Sequence, residues 1–477
     1  MDVYVSVAGT GDIVGQIYRQ LRATILDGRL TPGQALPPTR ELAVGLNVSR
    51  NSVLAAYSRL SEEGFIVSRV GAGTFVSSEV GLIGSGRRRG ADHTVLCPKA
   101  FWGRLPDLAF TQDTAVRYDF RTDLPDTALF PFPTWRRLMM QELRASNRRI
   151  GQYGDPAGHA ALRAAISRHV GVTRGIHSAS DNVTVTAGGQ QALDLIARVF
   201  LKPGDCVAVE EPGYPPARLT FESYGATITT VKVDAEGLDV SALPSRAKLV
   251  FVTPSHQYPT GVSMSLARRH ALVSWAERND AIIIEDECDS EYRYEERPVA
   301  ALQSLDRSGR VLYVGSFSKV MLPSIRLGYI VAPSLLSGSI GRAKFVADGH
   351  CPVTTQTALA SFIDSGLLAA HVRRMRQEYR QRREVILCAL RQDFASWLTP
   401  VPSVAGIHVT ARCISLDVDT VHLVRKRATA AAVAISCLSD FYHDQPAKSG
   451  LLFGFGSIPA NTLREGLSRL RECFMGV

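Results

Sequence analysis

Residues 311–329 read VLYVGSFSKVMLPSIRLGY. An apolar, β-branched run at 311–314 gives way to the hydroxyl residues Ser316 and Ser318, then directly to Lys319, with Arg326 seven positions further on. Length and composition make the run a buried strand. Comparable runs stand upstream at 183–185, 206–209, 249–252 and 281–284, separated by helical patterns such as 190–200 and 266–277. Continuous apolar strands alternating with helices predict an α/β domain whose sheet is largely parallel and covered on both faces.

The whole chain has 477 residues, 45% apolar and 21% charged, which is ordinary globular composition but too long for one typical core. No apolar run approaches the roughly 18 residues a membrane span needs, and Met1-Asp2-Val3-Tyr4 lacks a basic leader, so a cytoplasmic protein is expected. The cysteines, at 97, 206, 288, 351, 388, 413, 437 and 473, show no C-x-x-C spacing, so neither a metal site nor a disulfide framework is expected. A formal charge of +9 favours a polyanionic partner only weakly.

The first 78 residues have a different pattern. Ile13, Ile17, Leu21 and Ile25 mark an amphipathic helix closed by Gly28. A short helix over 39–44 is expected to start on Thr39, and Ser49 caps a second that buries Val53, Ala56, Tyr57 and Leu60. That leaves Arg50, Asn51 and Ser52 outward on its first turn. Two short strands follow around Gly71-Ala72-Gly73, completing an α+β winged helix-turn-helix. Such a helix presents its first turn to base edges in a major groove, so Ser49, Arg50, Asn51 and Ser52 are the candidate readers of double-stranded promoter DNA, with Arg40, Arg69 and Gly71 on the backbone. Residues 1–90 hold ten Arg, no Lys and seven Asp or Glu, a net of +3, which fits sequence-specific binding better than bulk coating.

In the α/β part, a strand-end lysine with hydroxyls on one side and a guanidinium nearby suits an aldehyde cofactor carrying a phosphate, and pyridoxal 5'-phosphate is the candidate. Thr186-Ala187-Gly188-Gly189-Gln190 links a strand to a helix, where free backbone N–H groups cradle a phosphate. Asp286, ending the strand at 281–284, is placed to pair with a protonated pyridine nitrogen. Tyr214 is placed to stack on the ring.

The first segment resembles the GntR-type reader head through LPPTRELA, VSRNSV and GAGTFV. With YDFRTDLPDTALFP, QYGDPAGHAALRAAI, EEPGYPP, TPSHQYPTG, EDECDSEYRY and SFSKVMLPSIRLGY, the chain resembles the MocR/GabR family, in which such a head is fused to a fold-type I aminotransferase-like domain. The resemblance implies a winged helix-turn-helix over 10–78, a flexible basic linker over 79–117 and a cofactor-binding, dimerising domain over 118–477. It implies that Lys319 carries pyridoxal phosphate as a Schiff base and Asp286 meets the pyridine nitrogen. Gly188, Gly189, Gln190, Ser316, Ser318 and Arg326 would hold the phosphate, with Tyr214 against the ring. Tyr153 would reach the neighbour's phosphate in a homodimer.

Three departures matter. Cys288 stands where the family has a tyrosine for the cofactor's phenolic oxygen, Tyr258 where aminotransferases keep an asparagine, and Leu452 where amino-acid-binding relatives place an arginine. The implied function is transcriptional regulation in response to an amine, an amino acid or pyridoxal phosphate itself. The alternative is an active aminotransferase with a DNA-binding appendage. With Leu452 in place of the arginine, either the effector lacks that carboxylate, another arginine such as Arg218 supplies the grip, or the cofactor itself is the signal.

Overall fold

The computed structural model describes residues 5–7, 9, 11–80, 99–105, 116–144, 152–287, 289–294, 300–444 and 446–476. The chain divides into two compact units, Met1–Gly103 and Arg104–Val477. Most of the expected linker, together with Cys97 and Cys288, lies outside the described residues; a short helix forms at Ala100–Arg104. No helix among the described residues is long and apolar enough to cross a membrane.

In the smaller unit α1 (Ile13–Leu26) is capped by Asp12, whose carboxylate accepts the Gly15 N–H at 3.1 Å. Its apolar stripe, Ile17, Tyr18, Leu21 and Ile25, is buried. α2 (Thr39–Gly45) departs from expectation: Pro38 occupies the cap with ψ 141° and no side-chain bond, and Thr39 is already helical. A proline adopts that extended cap conformation without cost, so no hydroxyl cap is needed to set the chain's entry. α3 (Arg50–Glu62) begins at Ser49, whose Oγ accepts the Ser52 N–H at 3.1 Å. It packs Val53, Ala56, Tyr57 and Leu60 into one core with the α1 stripe. β1 (Ile66–Arg69) and β2 (Gly73–Val76) pair antiparallel from Ile66↔Val76 to Arg69↔Gly73. Gly71 (φ +78°) and Gly73 (φ +111°) supply the left-handed turn between them.

In the larger unit β3 (Tyr118–Asp119) precedes an eight-stranded sheet made by β4 (Val183–Thr186), β5 (Cys206–Glu211), β6 (Thr227–Asp234), β7 (Gly237–Leu238), β8 (Ala247–Val252), β9 (Ile282–Glu287), β10 (Val311–Ser316) and β11 (Gly328–Val331). The order is β4-β11-β10-β9-β8-β5-β6-β7. β10, β9, β8, β5 and β6 run parallel, and β11 is antiparallel to both neighbours. Alternate residues serve opposite faces. Val207, Phe251, Ile284 and Leu312 pack with Leu195 and Ile196 of the helix Gly189–Phe200, whereas Ala208, Val250, Ile283 and Val311 pack with Leu272 and Ala276 of the helix Leu266–Arg278. Covering both faces leaves the carboxyl ends of the parallel strands as the edge where polar groups gather.

A second sheet, β12 (Leu398–Pro400), β13 (His408–Cys413), β15 (Ser436–Cys437) and β16 (Gly450–Gly454), follows the long helix Leu367–Gln392. β3 pairs in parallel with β14 (Val433–Ala434), which ties the start of this unit to its end.

Ser49→Ala removes the α3 cap and is expected to cost the small unit about 1 kcal/mol, read as a lower midpoint for its transition in urea while the large unit's transition stays put.

Candidate functional site

Strand register builds one corner of the site. Thr186 of β4 lies opposite Gly328 of β11, which lies opposite Ser316 of β10. The helix starting at Gly189 therefore opens next to the end of the strand that leads into Lys319. Its first N–H groups, past the Gly188 cap (φ +83°), lie at the positive end of the helix dipole. Arg326, itself left-handed at φ +52°, donates from Nη2 to the Ala187 carbonyl at 2.8 Å and lies across this turn. A Cβ on Gly188 would stand 2.9 Å from that guanidinium, so only glycine admits the arginine there. A Cβ on Gly189 would meet open space. The Ser318 N–H donates to the buried Ser316 Oγ at 3.2 Å, closing the turn before the lysine. Gly188, Gly189, Ser316, Ser318 and Arg326 are thus brought together. Gln190 contributes differently than its side chain promised: its amide turns away and donates to Thr220 Oγ1 at 2.5 Å, leaving only its backbone N–H at the helix start.

Asp286, the penultimate residue of β9, lies one strand from β10 and is 4% exposed. It lines a cleft together with Tyr214, Tyr258 and Lys319. The Tyr214 and Tyr258 rings meet edge to face, centroids 5.7 Å apart.

A residue that the sequence reading passed over faces the lysine. Lys319 Nζ forms an ion pair with Asp123 Oδ1 at 2.8 Å and donates to the Asp123 carbonyl at 2.9 Å. Asp123 has φ +74°, a conformation that few non-glycine residues adopt and that costs of order 1–3 kcal/mol when imposed. Its segment is held from several sides. The buried Asp126 pairs with Arg382 at 2.6 Å, and Thr122 Oγ1 bonds the Tyr258 hydroxyl at 2.7 Å. Gly454 and Gly456 let the carbonyls of Arg121 and Leu124 approach so closely that a Cβ on either would stand 2.1 Å from them.

On the opposite wall, His256 Nδ1 donates to Asp289 Oδ1 at 3.0 Å. Its ring lies against Gly406, where a Cβ would stand 1.9 Å from Cε1. Burial alone would raise the Asp289 carboxyl; the adjoining His256 and its hydrogen bond outweigh it and hold the group below the usual carboxylate range. Buried His408, its ring 4.6 Å from that of His256, donates to the Pro259 carbonyl at 3.0 Å and is pushed down to about 4 by burial and its neighbour. The ligand atoms of His256, Asp289 and His408 lie within 4.8 Å of one another. The expectation assigned no metal here, and each of the three is hydrogen-bonded to protein.

The remaining predicted residues lie elsewhere. Tyr153 is 98% exposed, its ring near His350 rather than lining the cleft. Leu452 is fully buried in β16. Arg218 pairs with Glu222 at 2.9 Å and lines a smaller neighbouring crevice. On the small unit, Arg40, Arg50 and Asn51 are exposed. The Ser49 and Ser52 hydroxyls bond each other at 2.9 Å as part of the cap. Arg69 is exposed with its guanidinium 5.2 Å from the Phe75 ring centre, beside the Gly71 turn.

These geometries agree with comparisons to known proteins. Residues 13–76 match the bacterial regulatory proteins of the gntR family, and 122–446 match aminotransferase class I and II. The probable rhizopine catabolism regulatory protein MocR of Rhizobium meliloti is 38% identical over 97% of this chain and 94% of its own length. The chain belongs to the MocR family. Another relative of this MocR-type chain is the pyridoxine biosynthesis transcriptional regulator PdxR of Corynebacterium glutamicum, 32% identical over 96% of this chain and 95% of its own. Among solved structures, the Pyrococcus horikoshii kynurenine aminotransferase in complex with PMP superposes with a TM-score of 0.71 at 28% identity, covering 82% of this chain and 98% of that one.

The MocR-family large unit carries residues that fit pyridoxal phosphate. A glycine cradle with open space at Gly189, a buried hydroxyl and a guanidinium would hold a phosphate, the buried Asp286 carboxylate would pair with a pyridinium, and Lys319 would supply the amine.

Beneath the cleft, Glu210 accepts from the Thr253 N–H and hydroxyl and from Gln257, and burial still pushes its carboxyl up to about 7. A carboxyl raised in the fold loses stability as pH climbs from its unfolded value toward the folded one. The large unit is therefore expected to lose stability between about pH 4.5 and 7 through this group. Glu210→Gln, which mimics the protonated acid, should melt increasingly above wild type from pH 5 to pH 8 in a calorimetric pH series.

Proposed function

We propose that this chain is a pyridoxal-phosphate-dependent transcriptional regulator: a homodimer that binds promoter DNA through its winged helices and responds to a small molecule at Lys319. The observation that carries the reading is the presence, in one chain, of a DNA-reading head with an exposed Arg50 and Asn51 and a cleft built around a lysine whose ammonium a carboxylate holds. When bound, pyridoxal phosphate supplies an aldehyde that combines reversibly with primary amines. The protein's part is to hold and orient. The Gly188 turn, Ser316 and Arg326 anchor the phosphate, Asp286 keeps a proton on the ring nitrogen, Tyr214 walls the ring, and Asp123 receives the lysine ammonium. The exposed Tyr153 supports a role across a dimer interface, where an unburied aromatic would find cover.

The relatives' names support regulation rather than turnover: one is tied to rhizopine catabolism, another to pyridoxine biosynthesis. The aminotransferase alternative needs a cation for the substrate carboxylate. Buried Leu452 offers none, and Arg218 is committed to Glu222.

Two results test this. Borohydride treatment of the native protein followed by mass spectrometry should leave the cofactor's mass on Lys319, and Lys319→Ala should abolish the adduct. Arg50→Ala should cost roughly 1–3 kcal/mol of operator binding and relax base preference, whereas Arg69→Ala weakens binding to all sequences alike. An unmodified Lys319, or an Arg50→Ala protein with intact operator preference, contradicts the proposal.

A further inference from the structure

Resting on the reading of Lys319 as the sensing amine, the geometry points to the chemical class of the effector: a primary amine with no carboxylate on or near the carbon bearing nitrogen, carrying hydroxyl groups or a second cation instead. Asp123 is the specificity-determining residue.

Among the nine described residues that line the cleft, Lys319 is the one lysine, and no arginine is among them. The cleft's carboxylates do not all remain free to meet a ligand. Asp289 is taken by His256 at 3.0 Å, Asp286 is positioned for the cofactor ring, and Glu287 lies in the field of the buried Arg174. Asp123 differs. Its partner is Lys319 Nζ itself, at 2.8 Å, so its carboxylate stands one hydrogen bond from the reacting nitrogen. Once that nitrogen is engaged with the cofactor, Asp123 faces whatever amine arrives beside it.

The backbone that carries the carboxylate is held in place. It is fixed at φ +74° in a segment bolted by Asp126–Arg382 and by the close approaches at Gly454 and Gly456. An α-amino acid delivered to Lys319 would bring its own carboxylate within a few ångströms of this one, whose side chain is 37% exposed, so that the two like charges repel with partial screening by solvent. Among the described residues lining the cleft, no lysine or arginine besides Lys319 itself is there to offset the repulsion. An amine of the same skeleton ending in a hydroxyl or an ammonium meets an acceptor instead. Tyr258 and Thr253 add hydroxyl groups to the same cleft.

The test compares matched pairs by isothermal titration of the full-length protein loaded with pyridoxal phosphate: 2-amino-1,3-propanediol against serine, and ethylenediamine against glycine. In each pair the ligand without the carboxylate should bind at least tenfold more tightly. Asp123→Asn should shrink both ratios to within about threefold. Asp123→Gly, whose backbone favours the observed φ, should do the same while melting no lower than wild type, so that the lost preference is not lost folding. The carboxylate members binding as well as or better than their partners, or ratios unchanged in both variants, would overturn the effector class and leave Lys319 sensing intact. No binding by any of the four to a protein whose Lys319 still traps the cofactor would overturn the class and leave the cofactor itself as the signal; loss of that trapping would overturn the sensing reading instead.

Discussion

The contact between Lys319 and Asp123 organises the large unit's chemistry. A lysine at the end of a buried parallel strand is placed by the whole sheet, because β10 is fixed on one side by β9 and on the other by β11. An aspartate in a left-handed conformation is placed by the second sheet, whose Gly454 and the adjoining Gly456 receive the carbonyls of Arg121 and Leu124 on either side of it. The pair therefore joins two separately built layers at one point. Anything that takes the amine from the carboxylate changes what holds those layers together there.

Much of the site could be read from the chain because its parts obey local rules. Strand ends, a glycine turn before a helix, and a serine-lysine turn announce Gly188, Asp286, Ser316 and Lys319 without knowledge of the fold. The small unit was legible for the same reason, its helical periodicity and Ser49 cap acting within a few residues. Thr39 shows the limit of that logic: the pattern of a capping hydroxyl was there, but Pro38 met the conformational demand first. Gln190 shows another, since its backbone was well placed while its side chain found Thr220 thirty residues away.

Asp123 and His256 were not legible. Neither has a local signature. Asp123 matters through a φ imposed by packing against residues more than three hundred positions distant, and His256 through the space left by Gly406. Cys288 was flagged on family pattern alone and lies outside the described residues. Leu452 is completely buried in β16 and offers no charged group to a carboxylate.

Energetically, coupling a ligand to DNA asks little of this arrangement. A differential affinity of about 1–3 kcal/mol between two states of the protein shifts operator binding about five- to 150-fold. The decisive measurement is an operator titration of the cofactor-loaded protein with and without a saturating amine, in wild type and in Lys319→Ala. A shift of at least fivefold in wild type that vanishes in Lys319→Ala is the predicted result; identical operator affinity with and without amine across a broad panel, or a shift that survives loss of the lysine, would contradict it.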